Sequence, residues 1–172
     1  MKFPKGVGAA GLLLLTFATG AEAANTAKEQ AKMQQAANES AVLCSVVLSD
    51  PNALQDAAAK RGFNAMANRK IGRISFDVIY GKLMGKSSWR KTYLIVARST
   101  NGDCVTKVEG NYESEAYWRQ LDATLVGSGY KQGRKPIIAR GMMMGAYQAG
   151  KSEIEIQGQA HTSSGTVTIW SK

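Results

Sequence analysis

Cys44, Cys104 and His161 are the only cysteines and the only histidine in this 172-residue chain, and with its Asp and Glu residues they bound the chemistry it could do. The cysteines stand too far apart for a CxxC redox pair. In an exported chain an even pair reads first as a disulfide. Closing a loop of about 60 residues stabilises a fold by roughly 4 kcal/mol on chain-entropy grounds. With one imidazole beside them, the two cysteines make a poor metal site, and any Ser-His-Asp relay would need His161 as its base.

His161 also ends an alternating run. Glu153, Glu155, Gln157, Gln159 and His161 fall on one side of a strand, and Ile154, Ile156 and Ala160 on the other. Two carboxylates at i and i+2 stand roughly 6–7 Å apart, close enough for acid–base work or cation binding. A strand with one wet face accounts for all five polar residues more simply. Other motifs are weaker still. Ser88-Trp89-Arg90-Lys91 matches the S-x-x-K pattern of acyl-enzymes but sits in a loop without the companion elements. Gly6, Gly8 and Gly11 spell a dinucleotide fingerprint with no strand before it. Met142-Met143-Met144 occupies consecutive positions that do not point to one soft-metal centre, so it reads as irregular core packing. No catalytic residue, cofactor or metal is expected.

Charge carries the clearest partner signal. From Lys60 to Arg98 there are ten Lys/Arg residues against Asp77 alone. Lys82, Lys86, Trp89, Arg90 and Lys91 resemble a basic loop with an aromatic that could grip an anion. Lys131, Arg134 and Lys135, with Arg140, make a second cluster, which strengthens the first only if the two are adjacent in space. The plainer reading is a solvated hairpin rim guarded by charges.

Positioning these residues requires the following elements. Residues 1–23 read as a signal peptide: Lys2 and Lys5, an apolar Gly6–Thr19 segment, and a small-x-small site at Ala21-Glu22-Ala23. The apolar part is too short for a permanent span. Cleavage after Ala23 leaves twenty basic and twelve acidic residues, a net charge of +8 against +9 for the whole chain, which favours acidic partners. Residues 24–48 read as an N-terminal helical or extended segment, of which 25–41 is Ala/Gln/Lys-rich without a strong apolar stripe, a loosely docked helix or frayed leader. Its end, Val42–Leu48, fits helix or strand.

The remaining residues, 49–172, read as one α+β domain. Asp50 and Pro51 start a helix running to Arg61, with Gly62 ending it. Ile74, Phe76, Val78 and Tyr80 share one face of a first strand. Tyr93–Ala97 is a central strand covered on both sides. Asn101-Gly102 suggests a tight hairpin turn before Cys104. A helix over 113–126 buries Tyr117, Trp118, Leu121 and Leu125. Gly129–Lys135 is a basic loop, Ile137–Met144 is ambiguous, and a hairpin closes the chain.

The expected architecture is an antiparallel sheet of about four to six strands with two helices packed on one face. The expected function is an exported, non-enzymatic binding protein: a cell-envelope subunit, adaptor or inhibitor meeting an acidic protein surface, or anionic envelope polymer or lipid, through its basic face. Nucleic acid is a poorer fit, and no transmembrane segment is expected in the mature chain. One alternative is a small periplasmic or secreted enzyme whose cleft unites Asp77 with Glu153 or Glu155. Another is a lipid or small-ligand carrier with an apolar cavity lined from the Phe76/Tyr80 face.

Overall fold

The computed structural model describes residues 18–67, 70–71, 74–86, 91–110, 113–161 and 165–172. Most of the expected signal peptide, residues 1–17, lies outside that set.

The first described element is a long helix, α1 (Ala18–Ser49). Its Ala-rich composition hides a true core face. Met33, Ala36, Ala37, Ser40, Ala41, Leu43, Cys44 and Val47 are all buried, at the 3–4 residue spacing of one helical side. Small residues register weakly as hydrophobic, but they let a helix lie close to what it packs on. From Met33 to Val47 this helix therefore contributes to the same core as the elements that follow it. Val42–Leu48 continues the helix and is not a strand.

A single 3-10 turn, Pro51–Ala53, leads into α2 (Leu54–Lys60). Pro51 takes the opening position, as its missing N–H allows. Asp50 precedes it without the expected side-chain capping bond.

Nine strands follow: β1 (Asn64–Ala65), β2 (Lys70–Ile71), β3 (Ile74–Lys86), β4 (Lys91–Ser99), β5 (Cys104–Glu109), and, after helix α3 (Ser114–Gly127), β6 (Lys131–Ala139), β7 (Met142–Ala149), β8 (Ser152–His161) and β9 (Gly165–Ser171). Eight run in the order β1-β3-β4-β5-β9-β8-β7-β6, and β2 pairs with the start of β3. All pairings are antiparallel. The expected four to six strands were too few: the two-residue β1 and β2 were not foreseen, and the stretch read as a basic loop is the first half of β6. Arg140 (φ 54°) and Gly141 (φ 73°) then make the two-residue turn into β7, both in the left-handed region that such hairpins require. At the Asn101-Gly102 turn only Gly102 is left-handed (φ 89°). That turn spans four residues and is closed by the Gly102 N–H donating to the Ser99 carbonyl, 3.0 Å.

Helices α1 and α3 lie side by side on one face of the sheet, and α2 packs on α1. Tyr117, Trp118, Leu121 and Leu125 are buried there as the spacing predicts. The Trp118 indole lies so close to Gly158 of β8 that a Cβ at that position would come within 2.6 Å of the ring nitrogen, so only glycine fits under it. Trp118 Nε1 donates to Thr168 Oγ1 (3.1 Å), and the Tyr117 hydroxyl donates to Ser40 Oγ (2.8 Å). Burial pushes the Tyr117 hydroxyl pKa up. Cys44 of α1 and Cys104 of β5 form the expected disulfide, with Cα atoms 5.3 Å apart.

One expectation about β3 fails for a physical reason. Its pairing with β4 slips between Phe76 and Val78, leaving Asp77 as an extra, bulged residue. A bulge reverses the alternation of side chains beyond it. Tyr80 therefore joins the core under the helices, whereas Phe76 and Ile79 join a second cluster with Ile95, Ala97 and Val105. The shared Phe76/Tyr80 face from which a carrier cavity was expected is thus divided between the two sides of the sheet.

Candidate functional site

The basic residues singled out in the sequence divide into three situations. Lys82 is committed to the fold. Its ammonium donates to Glu39 of α1 at 3.0 Å and lies 5.4 Å from the centre of the Phe63 ring, and its side chain is only 21% exposed. Glu39 also accepts from Arg61, 3.0 Å, so one nearly buried carboxylate ties together α1, the residue after α2, and β3. Arg98 and Lys107 are matched as well, to Asp77 (3.1 Å) and Glu109 (2.6 Å).

Lys86 and Lys91 are different. They are direct cross-strand partners at the end of the β3–β4 hairpin, both are exposed, and neither has an ion pair among the described residues. Leu83, 48% exposed, and half-buried Tyr93 form the pair nearer the core on the same hairpin. Trp89 and Arg90, also expected in this site, lie outside the described residues.

Lys131, Arg134 and Lys135 are exposed along β6, the far edge strand, where Arg134 approaches Glu155 at 3.9 Å. Five strands separate β3 from β6 in the sheet. Register places Lys86 and Lys91 near one end of the strands and Lys131 near the other. Among the described residues the two clusters occupy diagonally opposite corners of the sheet, so they are not adjacent in space. The imagined acid pair is not assembled either, since Asp77 turns to Arg98 and Glu155 faces Arg134 four strand positions away.

The helix-free face holds a feature the sequence did not disclose. A concavity of about 350 Å³ opens there, lined by Ile74, Met142, Met144, Gln157, Gln159, His161, Val167 and Ile169 among others. Ile74 belongs to the start of β3, three to five strand positions from the others, so the chain at Ile74 folds across this face. Met143 is fully buried on the helix side, but Met142 is 51% and Met144 40% exposed. The methionine run is thus core packing at one position only. Alternation alone could have separated Met143 from its neighbours. What the sequence lacked was the β7–β8 register, which sets Met142 opposite Gln159 and Met144 opposite Gln157. The wet face expected for β8 is present, with Glu153, Glu155, Gln157, Gln159 and His161 all exposed.

Among the described residues no helix is long and apolar enough to cross a membrane, and no group of three His, Cys, Asp or Glu side chains could hold a metal ion. No family model matches this chain, and no curated protein or solved structure is similar to it.

Proposed function

We propose that this protein is an exported, non-enzymatic binding protein of the cell envelope that docks on an acidic partner protein through the free end of the β3–β4 hairpin. The observation that carries the reading is the Lys86–Lys91 pair. Like charges directly opposite on a ladder destabilise it, and among the described residues neither lysine has an ion pair, while Lys82, Arg61, Arg98 and Lys107 each have a carboxylate within 3.1 Å. A partner's carboxylates would remove that repulsion on binding. Leu83 adds an exposed apolar anchor beside the charges, the combination of a desolvated contact and a charged rim on which protein interfaces rely. Export is supported by the leader pattern of residues 1–23 and by a disulfide, which persists mainly in oxidising compartments.

The test is crosslinking in intact cells followed by capture, with the wild-type chain and with Lys86→Glu/Lys91→Glu. A stoichiometric acidic protein is expected with the wild type, weakening as salt rises and lost on charge reversal. Capture indifferent to both salt and reversal sinks the reading. Retention on phosphatidylglycerol vesicles with no protein partner would reassign the hairpin end to anionic lipid.

A further inference from the structure

We propose that two copies of this chain pack face to face through the helix-free side of β6, β7 and β8, with Ile137 of each copy seated in the hollow of the other. The interface is separate from the hairpin end and does not depend on what that end binds.

The register fixes what this face presents. Lys131 and Glu153 both pair with Gln148, and Arg134 and Glu155 both pair with Ala146. Ile137 and Gln157 flank Met144 in the same way, and Ala139 and Gln159 flank Met142. These rows point away from the helices, because Met143 and Tyr147, which alternate with them on β7, are buried in the core under α3. The result is three stripes. β6 offers Lys131 and Arg134, β8 offers Glu153 and Glu155, and β7 between them offers Met142 and Met144. A knob and a hole go with the stripes. Ile137, 63% exposed, is the most exposed large apolar side chain among the described residues. The hollow is lined from β7, β8 and β9, so its centre lies on β8, two strands from Ile137.

Symmetry decides how such a face can pair with itself. Most homo-oligomers are two-fold dimers, whose interface must be complementary to its own copy. A two-fold axis between two stacked sheets and parallel to β7 keeps every cross-strand row in place and exchanges β6 with β8. Lys131 and Arg134 then lie over the second copy's Glu153 and Glu155, and Met142 and Met144 meet their own counterparts. Ile137 comes over the second copy's Gln157, at the mouth of its hollow. Stacked sheets stand roughly 10 Å apart with strands inclined by about 30°, a gap that Lys and Arg side chains span. Gln157 and Gln159 lie beneath the second copy's edge strand, where water still reaches their amides. Within one chain the Arg134–Glu155 pair is loose, at 3.9 Å with both side chains more than half exposed, so exchanging it for a pair between copies costs little. Antiparallel pairing of two β6 edges is the poorer arrangement. It sets Lys135 against Lys135 at its centre, and Pro136 and two register shifts interrupt the strand. Three strands make a footprint at the small end of specific interfaces, so the dimer is a weak one that forms as concentration rises.

The experiment is sedimentation velocity of the full chain, disulfide intact, over a rising series of concentrations. The wild type is expected to pass from monomer to dimer. Ile137→Ser should weaken association by roughly tenfold or more, as loss of a central anchor does, and leave thermal unfolding of the monomer unchanged. Lys131→Glu/Arg134→Glu and Glu153→Lys/Glu155→Lys should each stay monomeric, because each sets like charges over like. Mixed in equal amounts, these two variants should form a heterodimer, since every charge pair across the interface is then opposite in sign. Adding Ile137→Ser to both should weaken that heterodimer, which mere attraction between oppositely charged chains would not show. A wild type that stays monomeric overturns the proposal and leaves the face to a partner of another kind. A dimer indifferent to Ile137→Ser and to both charge reversals overturns it too, because the copies then meet elsewhere, and so does a mixture that stays monomeric.

Discussion

On β4, Leu94 and Val96 point under the helices and Ile95 and Ala97 point away from them, yet all four are buried. The two faces achieve this differently. Under the helices, Tyr117, Trp118, Tyr147 and Trp170 fill the interior. The Tyr117, Trp118 and Tyr147 polar atoms bond to Ser40, Thr168 and Asp122. On the other face a smaller cluster of Phe76, Ile79, Ile95, Ala97 and Val105 is closed at its centre and opens toward β7 and β8 into the methionine-lined hollow. One face holds the fold together, and the other leaves side chains available. Substitutions should therefore separate by face.

Trp118→Ala is the harshest test of that division. Removing a fully buried indole costs about 3–5 kcal/mol and also strips Thr168 of its partner. Met144→Ala, on the open face, should change stability by no more than about 0.5 kcal/mol. Denaturant unfolding of both variants checks this, and similar losses would erase the distinction between the faces. Next in size is the bridge from α1 to β5. Replacing Cys44 and Cys104 together by Ala should cost roughly 2–4 kcal/mol, and the unreduced wild type should show no alkylatable thiol by intact mass.

The elements that were legible in the sequence are those whose pattern matches their period without interruption. Helix α3 shows its Tyr117–Leu125 stripe, β4 its continuous apolar run, and β8 its strict alternation. Helix α1 was misjudged because Ala36, Ala37, Ser40 and Ala41 bury little surface each, and their contribution is close approach. The first half of strand β6 was taken for a loop because edge strands carry the Lys and Gly that keep edges from pairing. No local pattern encodes the bulge at Asp77, although it decides which way Phe76 faces. A basic hairpin could be read directly, but Lys82's attachment to Glu39, 43 residues earlier, could be seen only once the helix had been placed.

Glu39 sharpens the comparison at an intermediate scale. Glu39→Gln leaves Arg61 and Lys82 facing a neutral amide, at a cost of roughly 1–3 kcal/mol, reduced on the Arg61 side by its exposure. Thermal unfolding measures it, and no loss would mean that Lys82 belongs with the free lysines. The buried tyrosines extend the test to pH. Burial raises the Tyr117 hydroxyl pKa; burial followed by the bond and charge of Asp122 raises that of Tyr147. An unfolded tyrosine ionises from about pH 10, while these remain protonated when folded. The unfolded state then binds fewer protons and stability falls as pH rises, by up to about 1.4 kcal/mol per pH unit for each such group. Tyr147→Phe should flatten the decline above pH 10 in unfolding experiments. An unchanged slope would place its hydroxyl in contact with solvent.

The smallest effect on stability is expected where the effect on binding is largest. Lys86 and Lys91 face each other across the ladder with no ion pair to either among the described residues, so Lys86→Ser removes a repulsion along with a side chain. Its stability should stay within about 0.5 kcal/mol of the wild type, on the stabilising side, while partner capture weakens and loses salt dependence. Lys82→Ser should do the reverse, lowering stability by uncoupling Glu39 and leaving capture intact. Thermal unfolding and capture measured on the same two variants place each lysine on one axis or the other. If Lys86→Ser destabilises the chain as much as Lys82→Ser, the hairpin end is a structural part of the fold and the partner must be sought elsewhere on the surface.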